Sequence, residues 1–540
     1  MQSPLMSRLS SSLPRLSRRT ITAIHALILL ALSLYFERFF YGEGANAVDE
    51  GWPLYAAMRL HAGGTLYSDV FFVFPPGHLL PAWIAYALDP PGLIASRVIY
   101  SAFNTALCLA MYVLGRRLMP PAYAFVAALL LCIHSPHSHI SHFMFGYRYL
   151  LFPVLALLAF SRWLESEQHR WMMIAGLWTG VSLCFRLTPA VAVAVGMAAG
   201  FLAAKRDLGD WPADGLAFLG GAVAACTPVA MWLLWTVGPA TVWSEIFVRP
   251  VEMTRLQSLP MPALHWPKSW GRWDITYAFE ALEFRLGLML YASYLLAAAV
   301  AWLRGPTTAV LRRPLVVAVV VWGAVYFTRA LGRADYGHLD SAMPPVLLLT
   351  GFALSRLEVV LRSLWPERQA RRVALTTAAL VLLASILAQR VDLWFLGYAG
   401  TKVPMQIADK RTRHLGFGAG AAFDRTAMAT VRLTKPGDII LDASSIPLLS
   451  ALTGRMGPGG ADVIMPGTFR DEYEERAFIE RLERDQPVLV VVPTQDFDRL
   501  EGRGLDRYAP LLSAWIRERY AEHERHEYWA ILLPRPSVAP

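Results

Sequence analysis

Charge is scarce in this chain. Of its 540 residues only 17% are Asp, Glu, Lys or Arg, while 55% are hydrophobic and the mean hydropathy is +0.39. That is more apolar than the surface of a water-soluble domain tolerates, so a membrane protein is expected. Cysteine is nearly absent as well. Cys108, Cys132, Cys184 and Cys226 fall in or beside apolar runs, none is spaced as a metal site, and none follows to make a disulfide in the polar tail. No internal repeat relates the two halves, which argues against a transporter built from paired repeats. A dinucleotide fingerprint is missing too, since "GRMGPGG" has neither a preceding strand nor a following helix. The net charge of +9 resides in loops between apolar runs and implies no nucleic-acid partner.

What the chain does have is apolar runs near the length of a bilayer crossing. They fall at Ile21–Phe36, Gly92–Leu114, Ala122–His134, Tyr147–Trp163, Trp171–Cys184, Leu187–Ala204, Gly215–Val237, Leu286–Leu303, Leu315–Thr328, Met343–Leu361 and Val373–Gln389. This predicts a mainly α, polytopic membrane protein with about eleven transmembrane helices. Basic loops stay on the cytoplasmic side; the N-terminus carries Arg8, Arg15, Arg18 and Arg19, and alternate loops carry Arg116–Arg117, Arg162 with Arg170, Lys205–Arg206, Arg304 with Arg312–Arg313, and Arg362 through Arg372. The expected N-terminus is therefore cytoplasmic in a cell inner (plasma) membrane, and the tail from about residue 399 is extracytoplasmic. The first run reads as an uncleaved anchor, although "ANA" at Ala45–Ala47 has the small-x-small form of a cleavage site.

Two regions are expected: a transmembrane part over 1–398 with a long first extracytoplasmic loop (37–91), and a soluble α/β domain over 399–540. In the tail, "GDIILDAS", "QPVLVVVP" and "YWAILLPR" read as strands, and "RDEYEERAFIERLERD" and "YAPLLSAWIRERY" as amphipathic helices. In the first loop, "DEGWPLYAAMRLHAGG" places Trp52, Tyr55, Ala56 and Leu60 at helical spacing, which predicts a helix in the membrane interface ended by Gly63–Gly64. The apolar Leu79–Leu88 is short for a crossing. The loop 238–285, rich in Trp and Pro, fits the headgroup level.

Just after the first run, "GANAVDEGWPLY" sets two carboxylates, Asp49 and Glu50, side by side. By themselves they read as a helix start, where acids oppose the helix dipole. Their setting is more specific. The ordered pattern "DEGWPLYAAMRLHAGGTLYSDVFFVFPPGH", with "SRVIYSAFNTALCLAMYVLGRRL", "FGYRYLLFPVLALLAFSRWL", "AGLWTGVSLCFRLTPA" and the tail "LTGRMGPGG", resembles the GT-C membrane glycosyltransferases, of the kind that includes protein mannosyltransferases and lipid A aminoarabinose transferases. The resemblance covers most of the chain, though each motif is short. It implies a GT-C fold, an inverting transfer from a polyprenyl-phosphate-linked sugar donor, and a lipid, glycan or protein acceptor at the extracytoplasmic face.

By that resemblance Asp49 is the candidate general base for the acceptor hydroxyl; the leaving phosphate needs no protonation, so one acid suffices. Glu50 has three open roles: assisting the acceptor, binding a divalent metal as in some relatives, or shaping the helix. A departing phosphate calls for cations, preferably Arg, whose planar fork matches its oxygens. Arg186 is a candidate because of its depth, with snorkelling as the plain alternative. Arg329, Arg333 and His338 in "TRALGRADYGHLD" form a compact cationic group, with Asp335 placed to orient one arginine. Arg148, Asp69 and His78 are possible lining residues, Asp69 equally a turn cap. His134, His137, His139 and His142 are irregularly spaced for a metal and read as an interfacial loop. A secondary transporter and a non-catalytic envelope-assembly protein are the alternatives.

Overall fold

The computed structural model describes residues 17–37, 41–42, 44–133, 147–204, 211–266, 268, 272–304, 313–396, 402–408, 412–414, 416 and 418–536. His134, His137, His139 and His142 lie outside them. A first long helix, α1 (Arg18–Glu37), is followed by the short α2 (Gly51–His61) and α3 (Leu80–Leu88). Next come α4 (Leu93–Leu118), α5 (Pro121–Ile133), α6 (Leu151–Ser166), α7 (His169–Phe185), α8 (Leu187–Ala204) and α9 (Trp211–Thr236). After the short α10 (Gly238–Trp243) and α11 (Arg249–Leu256) stand α12 (Arg272–Arg304), α13 (Pro314–Gly332), α14 (Tyr336–Leu361) and α15 (Glu367–Leu396). Among the described residues eight helices are long and apolar enough to cross a membrane. The remaining expected runs are also helical, as α5 with 13 residues, α7 with 17 and the more polar α15 with 30.

In lipid, apolar side chains gain little by leaving one greasy surface for another, so helices associate through close packing of small residues. α7 and α9 show this directly. A Cβ at Gly176 would lie 1.9 Å from the Phe218 carbonyl oxygen, and one at Gly221 would lie 2.0 Å from that of Met173. Polar groups inside the bundle are paired: Glu37 accepts from Ser101 at 2.7 Å and Asn104 at 3.0 Å, tying α1 to α4.

The tail forms a four-stranded sheet in the order β3-β4-β6-β5, after a small β1 (Val403–Pro404) and β2 (Arg413–His414) pair. β3 (Ile440–Asp442) and β4 (Leu489–Pro493) run parallel; β6 (Trp529–Pro534) is antiparallel to β4 and to β5 (Tyr520–His526). Side chains alternate across a strand, so the two faces meet different partners. Leu441 and Val490 pack with Phe478, Leu512 and Trp515 of the tail's own helices, α18 (Glu472–Asp485) and α20 (Pro510–Arg519), which follow α16 (Gly418–Leu433) and α17 (Leu448–Thr453) and flank the short α19 (Leu505–Tyr508). Ile440, Leu489, Val491 and Ile531 instead share a core with Trp52, Tyr55, Phe71 and Phe72 of the first loop.

That shared core alters the expected place of the first-loop helix. α2 ends near Gly63, which takes a left-handed φ of 92°, and the periodicity predicted the helix itself. Its Trp52–Met58 stretch, however, is buried, with tail residues against it. Tyr55 makes the point: its hydroxyl accepts from the Gly457 amide at 2.7 Å, about 400 residues away in sequence. The same loop holds Arg59 3.7 Å from Asp462, and Asp462 accepts from the Phe71 amide at 3.0 Å.

Candidate active site

The turn before α2 is built by Asn46. Its side-chain oxygen accepts from the amides of Val48 at 3.0 Å and Asp49 at 2.8 Å, while Glu50 reaches back to accept from the Asn46 amide at 2.9 Å. This reciprocal arrangement resembles a capping box and fixes the acids at the helix entrance. It sends the two carboxylates to different surroundings.

Glu50 points into a closed ion pair. Arg97 of α4 donates to it at 2.7 and 2.8 Å and also to the carbonyls of Tyr41 at 2.7 Å and Gly44 at 2.8 Å. Both partners are buried, and the contacts are fork to fork, the geometry in which a buried pair offsets its desolvation. Of the three roles open to Glu50, this arrangement fits the shaping one. Its two oxygens are engaged by Arg97 and Asn46, and among the described residues no group of three or more His, Cys, Asp or Glu could hold a metal ion.

Asp49 is half-buried and has no such ion pair among the described residues. Burial and the negative charge of Asp335 push its carboxyl up to about 7, against the pull of Arg333, the Asn46 side chain and Arg186. These electrostatic neighbours come from the α7–α8 and α13–α14 junctions. Asp49 and these charged candidates, scattered over some 290 residues (from Asp49 to Asp335), therefore act within one field.

Arg186 occupies the α7–α8 junction, buried and extended at the end of α7. Its guanidinium lies 4.2 Å over the Phe74 ring, and its Nε is 3.4 Å from His78 Nδ1. Burial comes first, and nearby Arg329 second, in holding its pKa down to about 9. His78 sits against Phe72, Phe74 and Tyr149, and Tyr149 donates to its carbonyl at 3.2 Å. Burial, with Arg186, Arg148 and Arg329 around it, pushes the imidazole well below its ordinary range, so it is neutral at pH 7 and Nδ1 can accept from Arg186. Arg148 stacks 4.1 Å over Tyr100. Here cations accumulate without a carboxylate in ion-pairing contact with Arg186 among the described residues, an electrostatic setting that favours an anion.

At the α13–α14 junction the expected cluster is partly spoken for. Asp335 caps α14, accepting from the His338 amide at 2.9 Å, and lies 2.8 Å from His338 Nδ1. Burial would raise the Asp335 carboxyl, but the His338 contacts and the charge of Arg333 outweigh it and hold the group well below the ordinary range. Arg333 donates to Asp335 at 2.6 Å, to the Gln257 carbonyl at 2.8 Å and in a fork to Asp498 of the tail at 3.0 and 2.7 Å. Its guanidinium therefore ties the junction together, while the charge of Arg329, one turn earlier in the helix, acts on Arg186. Asp69 accepts from the Thr65 amide at 3.0 Å and works as the turn cap.

Sequence reasoning missed Arg97 and Asp498. Arg97 had a readable signal, an arginine inside an apolar run. Asp498 had none, because its partner is set only by how the tail docks.

No protein-family model matches the chain, and no curated protein matches its sequence. Solved structures do match in fold. ArnT from Cupriavidus metallidurans bound to undecaprenyl phosphate is similar at 13% identity and a TM-score of 0.58, over 96% of this chain and 98% of that one. The archaeal oligosaccharyltransferase AglB from Archaeoglobus fulgidus, in complex with an inhibitory peptide and a dolichol-phosphate, is similar at 14% identity and a TM-score of 0.50, over 96% of this chain and 74% of that one. The chain has the GT-C fold of membrane glycosyltransferases.

Proposed function

We propose that this protein is a membrane glycosyltransferase that moves a sugar from a polyprenyl-phosphate donor to an acceptor hydroxyl, with Asp49 as general base. The observation that carries the reading is the meeting of Asp49 with Arg186 and the α13–α14 junction in one electrostatic neighbourhood. The fold neighbours, one described with undecaprenyl phosphate and one with dolichol-phosphate, support a lipid phosphate as the donor's carrier.

In the proposed step the acceptor O–H gives its proton to Asp49 as its oxygen bonds to the anomeric carbon. The bond from that carbon to the phosphate oxygen breaks, and the electron pair leaves on the lipid phosphate. Attack opposite the leaving group inverts the sugar. Arg186 and Arg329 meet the charge that grows on the phosphate, and His78 orients Arg186. Glu50 with Arg97 and Arg333 with Asp335 and His338 hold the two sides in place. In this reading the tail and first loop face the extracytoplasmic side of an inner membrane, and the acceptor is a lipid, a glycan or a protein hydroxyl.

Asp49→Asn tests the base. Transfer from a polyprenyl-phosphate sugar by purified protein should fall by about 10²–10⁴-fold, the usual worth of a positioned base. Undecaprenyl phosphate binding should persist. Transfer at the wild-type rate would remove Asp49 from that role.

A further inference from the structure

A residue from the far end of the chain is tied to the α13–α14 junction. Asp498 accepts both prongs of the Arg333 fork and also Arg503 at 3.2 Å, and Arg503 in turn donates to the Ser258 carbonyl at 2.8 Å. Arg333 holds Asp335 with its Nε, and Asp335 carries His338. An ionic chain thus runs from the tail through the α13–α14 junction to the groups whose charge Asp49 feels. The backbone adds an independent mark. Asp498 and Arg499 both lie in the left-handed region, at φ 57° and 56°; Asp visits it readily, but a long side chain such as that of Arg499 seldom does.

We infer that Asp498 is a positioning residue contributed by the tail: it holds Arg333 at Asp335 and neutralises its outer side, and so sets the charge presented to Asp49. This rests on the reading of Asp49 as the base of the proposed reaction. The groups facing Asp49 are Arg186 from the α7–α8 junction and Arg333 and Asp335 from the α13–α14 junction, with the Glu50–Arg97 pair on its own turn. Of these, only Arg333 has an ion-pair partner in the tail among the described residues.

The consequence has a sign. Neutralising Asp498 leaves Arg333 with one carboxylate instead of two, so its positive field at Asp49 grows and the Asp49 carboxylate forms at lower pH. Carbodiimide couples to protonated carboxyls, so the pH at which Asp49 labelling fades, mapped by mass spectrometry on the full chain in detergent, reads this directly. Asp498→Asn should lower that midpoint by about half a pH unit, the effect of one partly screened charge. Asp498→Glu should restore it. Arg503→Gln loosens the same docking contact without touching Arg333 and, because it removes a positive rather than a negative charge, should not lower it. Equal midpoints for wild type and Asp498→Asn, or an equal shift in Arg503→Gln, would overturn the inference. Undecaprenyl phosphate binding is measured beside it: failure of the wild type to bind would count against the proposed transferase, while labelling still decides the role of Asp498.

Discussion

Arg97 and Arg186 are both buried arginines near the acid pair, and their company is opposite. Arg97 has a fork-to-fork carboxylate and two backbone carbonyls, so its charge is satisfied by the protein. Arg186 has a neutral imidazole, a phenyl face and another arginine nearby. One region is finished by folding alone. In the other, an arginine is buried without a carboxylate in ion-pairing contact among the described residues, as expected where a ligand supplies the counter-charge.

The comparison can be broken most severely at Arg97. Arg97→Met should leave Glu50 buried and uncompensated and cost about 3–5 kcal/mol, read as a drop in thermal stability in detergent. Removing both charges in Arg97→Met/Glu50→Leu should return much of that loss. If the single variant melts like wild type, the pair is not the anchor described.

Arg186→Met should do the reverse. The fold should keep its thermal stability or gain some, while undecaprenyl phosphate affinity weakens about 10–100-fold, the worth of charge-assisted hydrogen bonds of about 1.5–3 kcal/mol. Unchanged affinity would leave the second region without its anion.

A smaller effect is expected where the tail meets the acid turn. Leu448 donates its amide to the Ala47 carbonyl at 3.1 Å, and a Cβ at Gly51 would lie 2.2 Å from that Leu448 nitrogen. Gly51→Ala should therefore push the tail off the turn, costing about 1–3 kcal/mol and opening the seam to limited proteolysis. Wild-type protection would mean that the contact yields easily.

The smallest effect concerns pH, because Asp49 is only half-buried and solvent screens much of its shift. Asp49 titrates near 7 in the folded protein, raised from an ordinary value near 3.8 by burial first and Asp335 second. Between those values the folded state binds the extra proton, so Asp49 contributes less stability as pH rises through this window. Asp49→Asn should then melt slightly above wild type at pH 8, with the gap closing as pH falls toward 4. A gap of opposite sign would contradict the buried setting. Transfer by the wild type should rise with pH around 7, as its base ionises.

The helical body was largely legible beforehand because hydropathy over a bilayer's width is a local property. α8 follows its apolar run to the residue, whereas α12 and α14 begin well before theirs, at Arg272 and Tyr336. α14 starts early because Asp335 caps it, and a cap depends on one side chain rather than on mean hydropathy. Three tail strands were readable as apolar runs. β5, "YAEHERH", was not, since it is a polar edge strand that among the described residues pairs with β6 alone.

The candidate site was legible as a set of residue types and only partly as roles. Asp49 and Glu50 are indistinguishable by position, and Arg329 and Arg333 nearly so. Their differences come from partners that no spacing reveals: Arg97 for Glu50 and Asp498 for Arg333. Periodicity and the supply of charge determined by themselves that the chain is a helical membrane protein with a mixed α/β tail, because both are summed over neighbours in sequence. Which carboxylate was engaged, which arginine was left facing cations, and what covered α2 were decided by tertiary structure. Ion pairing depends on distances of a few ångströms between groups hundreds of residues apart, and only the folded chain sets them.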